Sequence, residues 1–125
     1  MRRVIHIFRF IISTKDDCLI FKSNIPVILY AWVDASYDCY IDGKSQYGFN
    51  LAIGYDSGSF VSKSGKIKLV ALSSCEADRI GLCFCSTEVV YTQRLLTDLG
   101  FPQLRPTIIY EDNQSYCNKA YVTKI

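Results

Sequence analysis

An apolar run that begins with a proline and ends in an acid constrains the fold of this chain most strongly. Residues 26–33 read PVILYAWV, a run rich in residue types that favour β-strands, and Asp34 follows at once. The run is short for a helix, and a strand that is apolar on both faces belongs inside a covered sheet. We therefore expect a central strand that holds Asp34 in a fixed position at the edge of the sheet.

The elements that follow predict an α/β domain. Residues 48–53 and 59–63 are predicted to form an antiparallel hairpin, because a short turn containing glycine separates them. Ser73, followed three places later by Glu76, is a capping box, which predicts that a helix begins there and runs to a glycine at position 100. Apolar residues at helical spacing predict the face that packs on the sheet: Ala77, Ile80, Phe84, Tyr91, Leu95 and Leu99.

A last buried strand, predicted at residues 106–110, leads into Asp112. The long helix before it allows a crossover that lays this strand parallel to the first and beside it. Asp34 and Asp112 then leave the sheet at the same edge, and the first turn of the helix can aim Glu76 there as well. Converging carboxylates repel one another unless a cation joins them, and Mg²⁺ prefers oxygen ligands. Two such ions about 4 Å apart can hydrolyse a phosphodiester.

Each of these acids also has an ordinary structural explanation. Glu76 can serve the capping box alone, by accepting a hydrogen bond from the backbone at Ser73. Asp34 and Asp112 can simply end their strands or cap the segments that follow. Taken singly, none of the three acids establishes a site.

The charge balance restricts how the chain could bind a polyanion. The 125 residues are half hydrophobic, enough for one domain with a core, and 14 basic against 12 acidic residues give a net charge of +2. A charge this small does not attract nucleic acid by itself, so any affinity must come from local patches. Lys63 and Lys66 flank Gly65 in a loop that is either an exposed, solvated segment or a phosphate contact.

The cysteines and the N-terminus indicate an intracellular setting. The six cysteines form no C-x-x-C pair and His6 is the single histidine, so we expect reduced thiols and no zinc site. The apolar run after Met1 is interrupted by His6 and Arg9, lacks a cleavage site and is too short to span a bilayer. We expect neither export nor a membrane partner. Val4, Ile7, Phe8 and Ile11 at helical spacing predict an amphipathic helix or an edge segment that docks on the domain.

Four blocks of the sequence resemble the ribonuclease H domain of copia-type (LTR) retrotransposon polyproteins. They are YAWVDA at 30–35, KSQYGF at 44–49, VALSSCEA at 70–77 and YEDNQS at 110–115. Residues 1–25 are similar to the tether that joins the reverse transcriptase to this domain, which makes 26–125 the ribonuclease-H-like domain. By this resemblance the fold is a ribonuclease-H-like mixed sheet, with three antiparallel strands, a crossover helix, a fourth strand parallel to the first and a following helix, incomplete at the C-terminus.

The resemblance also implies an activity, hydrolysis of the RNA strand of RNA/DNA hybrids with two Mg²⁺ ions, for which Mn²⁺ can substitute. It assigns catalysis and metal binding to Asp34, Glu76 and Asp112. It assigns contact with the hybrid to Asn113, Gln114 and Ser115. Lys63 and Lys66 are further candidate contacts. The implied partners are the hybrid and the reverse transcriptase domain of the same polyprotein, in the cytoplasm, a virus-like particle or the nucleus.

Two departures from the family pattern keep other functions open. Ser36 stands where a second acid is common, and family members carry a fourth acid further downstream than Ile125. Weak binding of one metal ion would follow from the lack of that acid. A retroelement fragment that keeps the fold without turnover is the first alternative, and an integrase-like core, which also uses clustered acids, is the second.

Overall fold

The computed structural model of the chain describes residues 2–22 and 26–113. Its elements, in chain order, are α1 (Arg2–Ser13), β1 (Leu29–Ser36), β2 (Gln46–Ile53), β3 (Ser59–Lys66), α2 (Ser74–Asp98) and β4 (Ile108–Tyr110). The predicted strands, hairpin and crossover helix are therefore present in the predicted order. Two details differ: β3 extends to Lys66, so Lys63 and Lys66 lie on a strand rather than in a loop, and β4 is shorter than residues 106–110 and mostly exposed rather than buried. The further helix expected after Asn113 lies outside the described residues.

The strands form one mixed sheet in the order β3-β2-β1-β4. β1 pairs antiparallel with β2 and parallel with β4, and β2 pairs antiparallel with β3. The predicted ribonuclease-H-like mixed sheet is thus confirmed as the fold class. The register places Trp32 opposite Tyr110, so Asp34 and Asp112 each lie two residues beyond a paired position.

The core lies between α2 and one face of the sheet. Leu29, Ala31 and Val33 alternate along β1 as buried residues, and they pack with Phe49 and Leu51 of β2. Because successive side chains of a strand point to opposite faces, Trp32 and Asp34 lie on the other face of the sheet. There Trp32 stacks on Tyr110 with ring centroids 5.7 Å apart.

The buried face of α2 differs in part from the predicted apolar face. Of the predicted set, Ala77 is buried and Ile80 is partly buried against the core, and Phe84 is exposed but stacks on Tyr47 with ring centroids 4.5 Å apart. Tyr91, Leu95 and Leu99 are exposed. The face on the sheet comprises Ala77, Asp78, Gly81, Cys85, Val89, Thr92 and Leu96. Small residues are required here because the helix lies close to the strands: a Cβ atom on Gly81 would be 3.3 Å from the Cβ of Tyr47.

The ends of α2 follow the predicted signals. The Ser73 hydroxyl accepts a hydrogen bond from the backbone N–H of Glu76 (3.2 Å). The Glu76 carboxylate accepts one in return from the backbone N–H of Leu72 (2.7 Å), one residue earlier than expected. At the other end Gly100 has φ +88°, a left-handed conformation that suits glycine, and the N–H of Phe101 bonds to the carbonyl of Leu96 (2.7 Å).

The N-terminal segment is a helix, as predicted, but its apolar side chains are not packed on the domain. Val4, Ile7, Phe8 and Ile11 of α1 are each more than half exposed. The segment after α1 does contact the β2–β3 turn, where the N–H of Gly58 bonds to the carbonyl of Ile20 (2.8 Å). Among the described residues, no helix is long and apolar enough to cross a membrane.

A larger side chain at Gly81 should separate α2 from the sheet. We expect Gly81→Val to destabilise the fold by about 2–3 kcal/mol, because the Cβ of Tyr47 belongs to a packed strand and cannot move far. Gly81→Ala is the matched control, since its higher helix propensity, about 1 kcal/mol, opposes the crowding. Urea unfolding measures both, and an unchanged midpoint for Gly81→Val would show that the helix is not closely packed here.

Candidate carboxylate metal centre

Three carboxylates meet where β1 and β4 reach the edge of the sheet. One oxygen from each of Asp34, Glu111 and Asp112 lies within 4.8 Å of the others, and we call these three residues the carboxylate cluster. Asp34 lies on β1, and Glu111 and Asp112 directly follow β4. The structure therefore brings Asp34 and Asp112 together, as the parallel pairing of their strands predicted.

A fourth carboxylate, Asp78, approaches the cluster from the first turns of α2. The residue is only 3% exposed, and its Oδ2 atom accepts a hydrogen bond from the Nδ2 of Asn113. Burial raises the pKa of Asp78, and the negative charges of Asp34 and Asp112 raise it further, while the bond from Asn113 lowers it. Asp78 is therefore electrostatically part of the same site.

Glu76 does not join this group of acids. Its carboxylate bonds to the backbone of Leu72, and it borders a shallow depression beside Arg79, Ile80 and Phe84. Successive residues of an α-helix are rotated by about 100°, so Glu76 and Asp78 point to nearly opposite sides of α2. The structure shows the capping explanation of Glu76 and gives Asp78 the place at the edge of the sheet that the sequence analysis gave to Glu76.

The sequence contains a signal for Asp78 that the search for bulky apolar residues missed. Asp78, Gly81 and Cys85 are spaced by three and four residues, which puts them on one helix face. Ala77, Gly81 and Cys85 are all small, and all are buried against the sheet. An acid at helical spacing from small residues can thus be expected on the face that packs closely on the sheet.

Glu111 is the second residue that the sequence analysis left without a role. Its Oε1 atom accepts a hydrogen bond from the backbone N–H of Asn113 (3.3 Å). Burial raises the pKa of Glu111, as do the charges of Asp78, Asp112 and Asp34, while the bond from Asn113 lowers it. Asn113 thus contacts two acids at once, through its backbone to Glu111 and through its side chain to Asp78.

The two lysines proposed to contact nucleic acid both have acidic partners. Lys63 lies 2.7 Å from the carboxylate of Glu88 on α2. Lys66 lies 2.9 Å from Asp42 and 4.4 Å above the ring centre of Tyr40, and its hydrogen bond is the main cause of a lowered pKa at Asp42. A phosphate would have to compete with these acids. Gln114 and Ser115, also predicted contacts, lie outside the described residues.

A groove of about 540 Å³ begins at Asp34 and Trp32 and crosses the sheet toward β3. Its polar lining comes from alternate positions of three strands: Ser36, Gln46, Asn50, Ser62 and Ser64. Asn50 accepts a hydrogen bond from the hydroxyl of Ser62 (2.6 Å). Lys63 also lines the groove, with its ammonium paired to Glu88, and the polar groups other than Lys63 and Asp34 are hydroxyls and amides.

The donor atoms of the cluster suit a hard divalent cation. All of them are carboxylate oxygens, and oxygen ligands of this kind are what Mg²⁺ and Mn²⁺ take in proteins. Burial first, and the neighbouring carboxylates after it, raise the pKa values of Asp78 and Glu111, so the ionised acids are held here at a cost. A cation would remove that cost, so the residues present fit the metal that the resemblance implies.

The burial of these acids and the repulsion between them also predict how stability depends on pH. Because the pKa values of Asp78 and Glu111 are raised on folding, the folded chain holds these protons more tightly than the unfolded chain. Their contribution is therefore fully present below the ordinary pKa values of 3.8 and 4.5 and is lost as pH rises through the raised values.

We expect Mg²⁺ to restore stability above that pH range and to have little effect below it, as measured by urea unfolding at a series of pH values. The double variant Asp78→Asn/Glu111→Gln is the control, and its stability should respond less to both pH and Mg²⁺. Equal responses in the two proteins would exclude these acids as the cause.

The sheet order and the crossover helix are those of a ribonuclease-H-like α/β fold. The relatives of the chain are retrovirus-related Pol polyproteins of plant transposons. The chain is 35% identical over 111 residues to the polyprotein from transposon TNT 1-94 of Nicotiana tabacum, which covers 87% of the chain and 8% of that protein.

Two further relatives come from Arabidopsis thaliana. The Pol polyproteins from transposons RE1 and RE2 are each 32% identical over 111 residues, which is 86% of the chain and 7% of each polyprotein. No protein-family model matches the chain, and no solved structure matches it. The resemblance to a retrotransposon polyprotein is thus confirmed, and the chain spans less than a tenth of the relatives it matches.

Proposed function

We propose that the chain is a retroelement ribonuclease H domain, which hydrolyses the RNA strand of RNA/DNA hybrids. One observation carries this proposal: Asp34 and Asp112, far apart in the sequence, bring their oxygens together where two parallel strands end, with Asp78 buried beside them. The similarity to Pol polyproteins supports it, because the aligned segment includes most of the chain.

Asp34, Asp78 and Asp112 are the residues to which we assign catalysis and metal binding. Bound there, two Mg²⁺ ions, or Mn²⁺ in their place, would supply an activated water and stabilise the leaving oxygen of the phosphodiester. Asp34 and Asp112 are held in register by the parallel pairing of β1 with β4. Asn113 orients Asp78 through its side-chain amide, so that the carboxylate stays at the cluster rather than turning into the helix packing.

Recognition of the hybrid should depend on its shape and on the 2′-hydroxyls rather than on base sequence. The polar groove beside Asp34 offers hydroxyl and amide groups for such contacts. Asn113 is positioned next to the cluster, and we propose Gln114 and Ser115 as neighbouring contacts. Lys63 and Lys66 can add phosphate contacts if they exchange their present partners, Glu88 and Asp42.

The N-terminal segment supports a place within a polyprotein. We propose that residues 1–25 tether the domain, residues 26–125, to a reverse transcriptase, and that the exposed apolar side chains of α1 contact that neighbour. This assignment implies an intracellular location, in the cytoplasm, a virus-like particle or the nucleus. The integrase-like alternative shares the acids, but no described contact favours it over hybrid cleavage.

The proposal is tested with the purified chain and an RNA/DNA hybrid labelled on the RNA strand. We expect RNA fragments in the presence of Mg²⁺ and none after its removal by a chelator. A duplex of DNA alone, labelled in the same way, is the matched control and should remain intact. Binding of the hybrid without any cleavage would instead favour a fragment that keeps the fold without turnover.

A further inference from the structure

We propose that Gln103 is a positioning residue for the proposed nuclease: its side-chain amide fixes the register in which β4 pairs with β1, and this register places Asp112 beside Asp34. The inference rests on the proposed function for the reaction that the register serves. Gln103 contacts the chain where it enters β1, whereas Asp34 lies near the other end of that strand. Gln103 therefore acts through β4 rather than by contact with the substrate.

The Gln103 amide bonds to the backbone on both sides of Ile28. Its Oε1 atom accepts the N–H of Leu29 (3.0 Å), and its Nε2 atom donates to the carbonyl of Val27 (3.0 Å). Nε2 also donates to the carbonyl of Phe101 (3.2 Å), in the segment that follows α2. Two carbonyls that require a donor and one N–H that requires an acceptor specify an amide at this position.

The bonds to Val27 and Leu29 reproduce one rung of a parallel sheet. In a parallel pair, the N–H and carbonyl groups of one residue bond to the two residues that flank its partner. The register pairs Tyr30 with Ile108, and two residues earlier it sets Pro106 opposite Ile28. Proline has no N–H group, so its backbone cannot complete this rung. The Gln103 side chain supplies the donor and the acceptor in its place.

This rung carries much of the register because β4 is short. The strand comprises only Ile108–Tyr110, and its three residues pair with β1. Leu29 is fully buried, and a buried N–H without a partner is costly. Without the Gln103 side chain, a partner for this N–H would have to come from a shifted β4 or from water entering the sheet.

A shift of β4 would act directly on the carboxylate cluster. Asp112 lies two residues beyond Tyr110, the last paired residue, so its position follows that of β4. A shift by one residue moves a strand by about 3.3 Å and turns each side chain to the opposite face. Since a displacement of about 1 Å can lower a catalytic rate about 100-fold, the chemistry requires this register.

The register is tested by NMR on the full chain, without metal or nucleic acid. In the wild type we expect cross-strand NOEs between Ala31 and Ile109, which pair in the parallel ladder. Gln103→Ala should lose these NOEs while circular dichroism shows that it is folded. Trp32, the single tryptophan of the chain, stacks on Tyr110 with ring centroids 5.7 Å apart, so its fluorescence should change as well.

Two further variants separate the register from general stability. Val61→Ala removes core packing from β3, at the opposite edge of the sheet from β4, and should keep the NOEs. Gln103→Ala/Pro106→Ala returns a backbone N–H to the position opposite Ile28 and should regain them. The proposal is overturned if Gln103→Ala keeps the NOEs, if Val61→Ala loses them too, or if the double variant fails to regain them.

Cleavage of the hybrid connects the register to the reaction. At a temperature where it is folded, Gln103→Ala should lose at least about 10-fold in kcat with KM within about twofold of the wild type, because it displaces Asp112 and keeps the groups that contact the hybrid. Val61→Ala should cleave at the wild-type rate. An equal loss in the two variants would make Gln103 a general support of the fold and overturn its positioning role.

The NMR readout separates this inference from the proposed function. If Gln103→Ala loses the NOEs but the wild type leaves the hybrid intact, Gln103 sets the register and the nuclease assignment fails. If the wild type cleaves RNA while Gln103→Ala keeps both the NOEs and the rate, the nuclease assignment stands and Gln103 is not a positioning residue.

Discussion

Asp78→Asn is expected to reduce RNA cleavage by about 100-fold or more, whereas Glu76→Gln should leave the rate close to that of the wild type. The reason is geometric. Asp78 lies buried at the carboxylate cluster and interacts with Asp34 and Asp112, while Glu76 points to the other side of α2 and bonds to the backbone of Leu72. Initial rates on a labelled RNA/DNA hybrid at saturating Mg²⁺ provide the measurement.

Measuring the stability of these variants distinguishes a loss of catalysis from a loss of folding. Asp78→Asn removes a buried charge that its neighbours repel, and its amide oxygen can still accept the bond from Asn113. Without Mg²⁺ this variant should be at least as stable as the wild type. Glu76→Gln also keeps an acceptor for Leu72 and should cost less than about 1 kcal/mol. An inactive Glu76→Gln beside an active Asp78→Asn would reverse the assignment.

Asp112→Asn should have an equally large effect on cleavage and should also remove the stabilisation of the fold by Mg²⁺. Asp112 is an exposed member of the carboxylate cluster, so its replacement takes a ligand from the proposed ions without disturbing the core. We expect a loss of about 100-fold or more in rate. Thermal unfolding with and without Mg²⁺ gives the second readout.

The control for this second variant is Asp98→Asn, which removes one negative charge from the far end of α2. Its cleavage rate and its response to Mg²⁺ should match those of the wild type. If Asp112→Asn were still stabilised by Mg²⁺ to the wild-type extent, the ion would bind elsewhere, and the assignment of Asp112 would be wrong.

The sequence was sufficient to predict the strands and the two aspartates that end them. Pro26 to Val33 is apolar on both faces and stops at Asp34, and the short run before Asp112 has the same character. The crossover helix then determines that the two strands are parallel, which brings the acids to one edge. Local pattern and chain connectivity were enough for this part of the site.

The face of α2 could not be predicted in the same way. The prediction gave most weight to bulky residues such as Phe84 and Leu95, because burying them removes the most apolar area from water. The distance between α2 and the sheet determines the observed face instead, because Gly81 lets the helix approach Tyr47 closely. Asp78 lies on that closely packed face, and it was missed together with the rest of the face.

Glu111 and the lysine pairs depended on details that only the coordinates supply. Whether Glu111 faces the cluster is decided by the end of β4 at Tyr110, and strand ends are the least predictable part of an element. Lys66 meets Asp42 because of the register of the strands around it, not because of any local sequence pattern. The surroundings of Glu111 and Lys66 therefore follow from the three-dimensional fold and not from the local sequence.

Anomalous scattering from crystals of the chain soaked in Mn²⁺ would locate the cations directly. We expect peaks within coordination distance of the carboxylate oxygens of Asp34 and Asp112, where β1 and β4 reach the edge of the sheet. A peak beside Glu76, or crystals that take up Mn²⁺ elsewhere while this edge stays empty, would contradict a metal centre built from acids that the fold brings together.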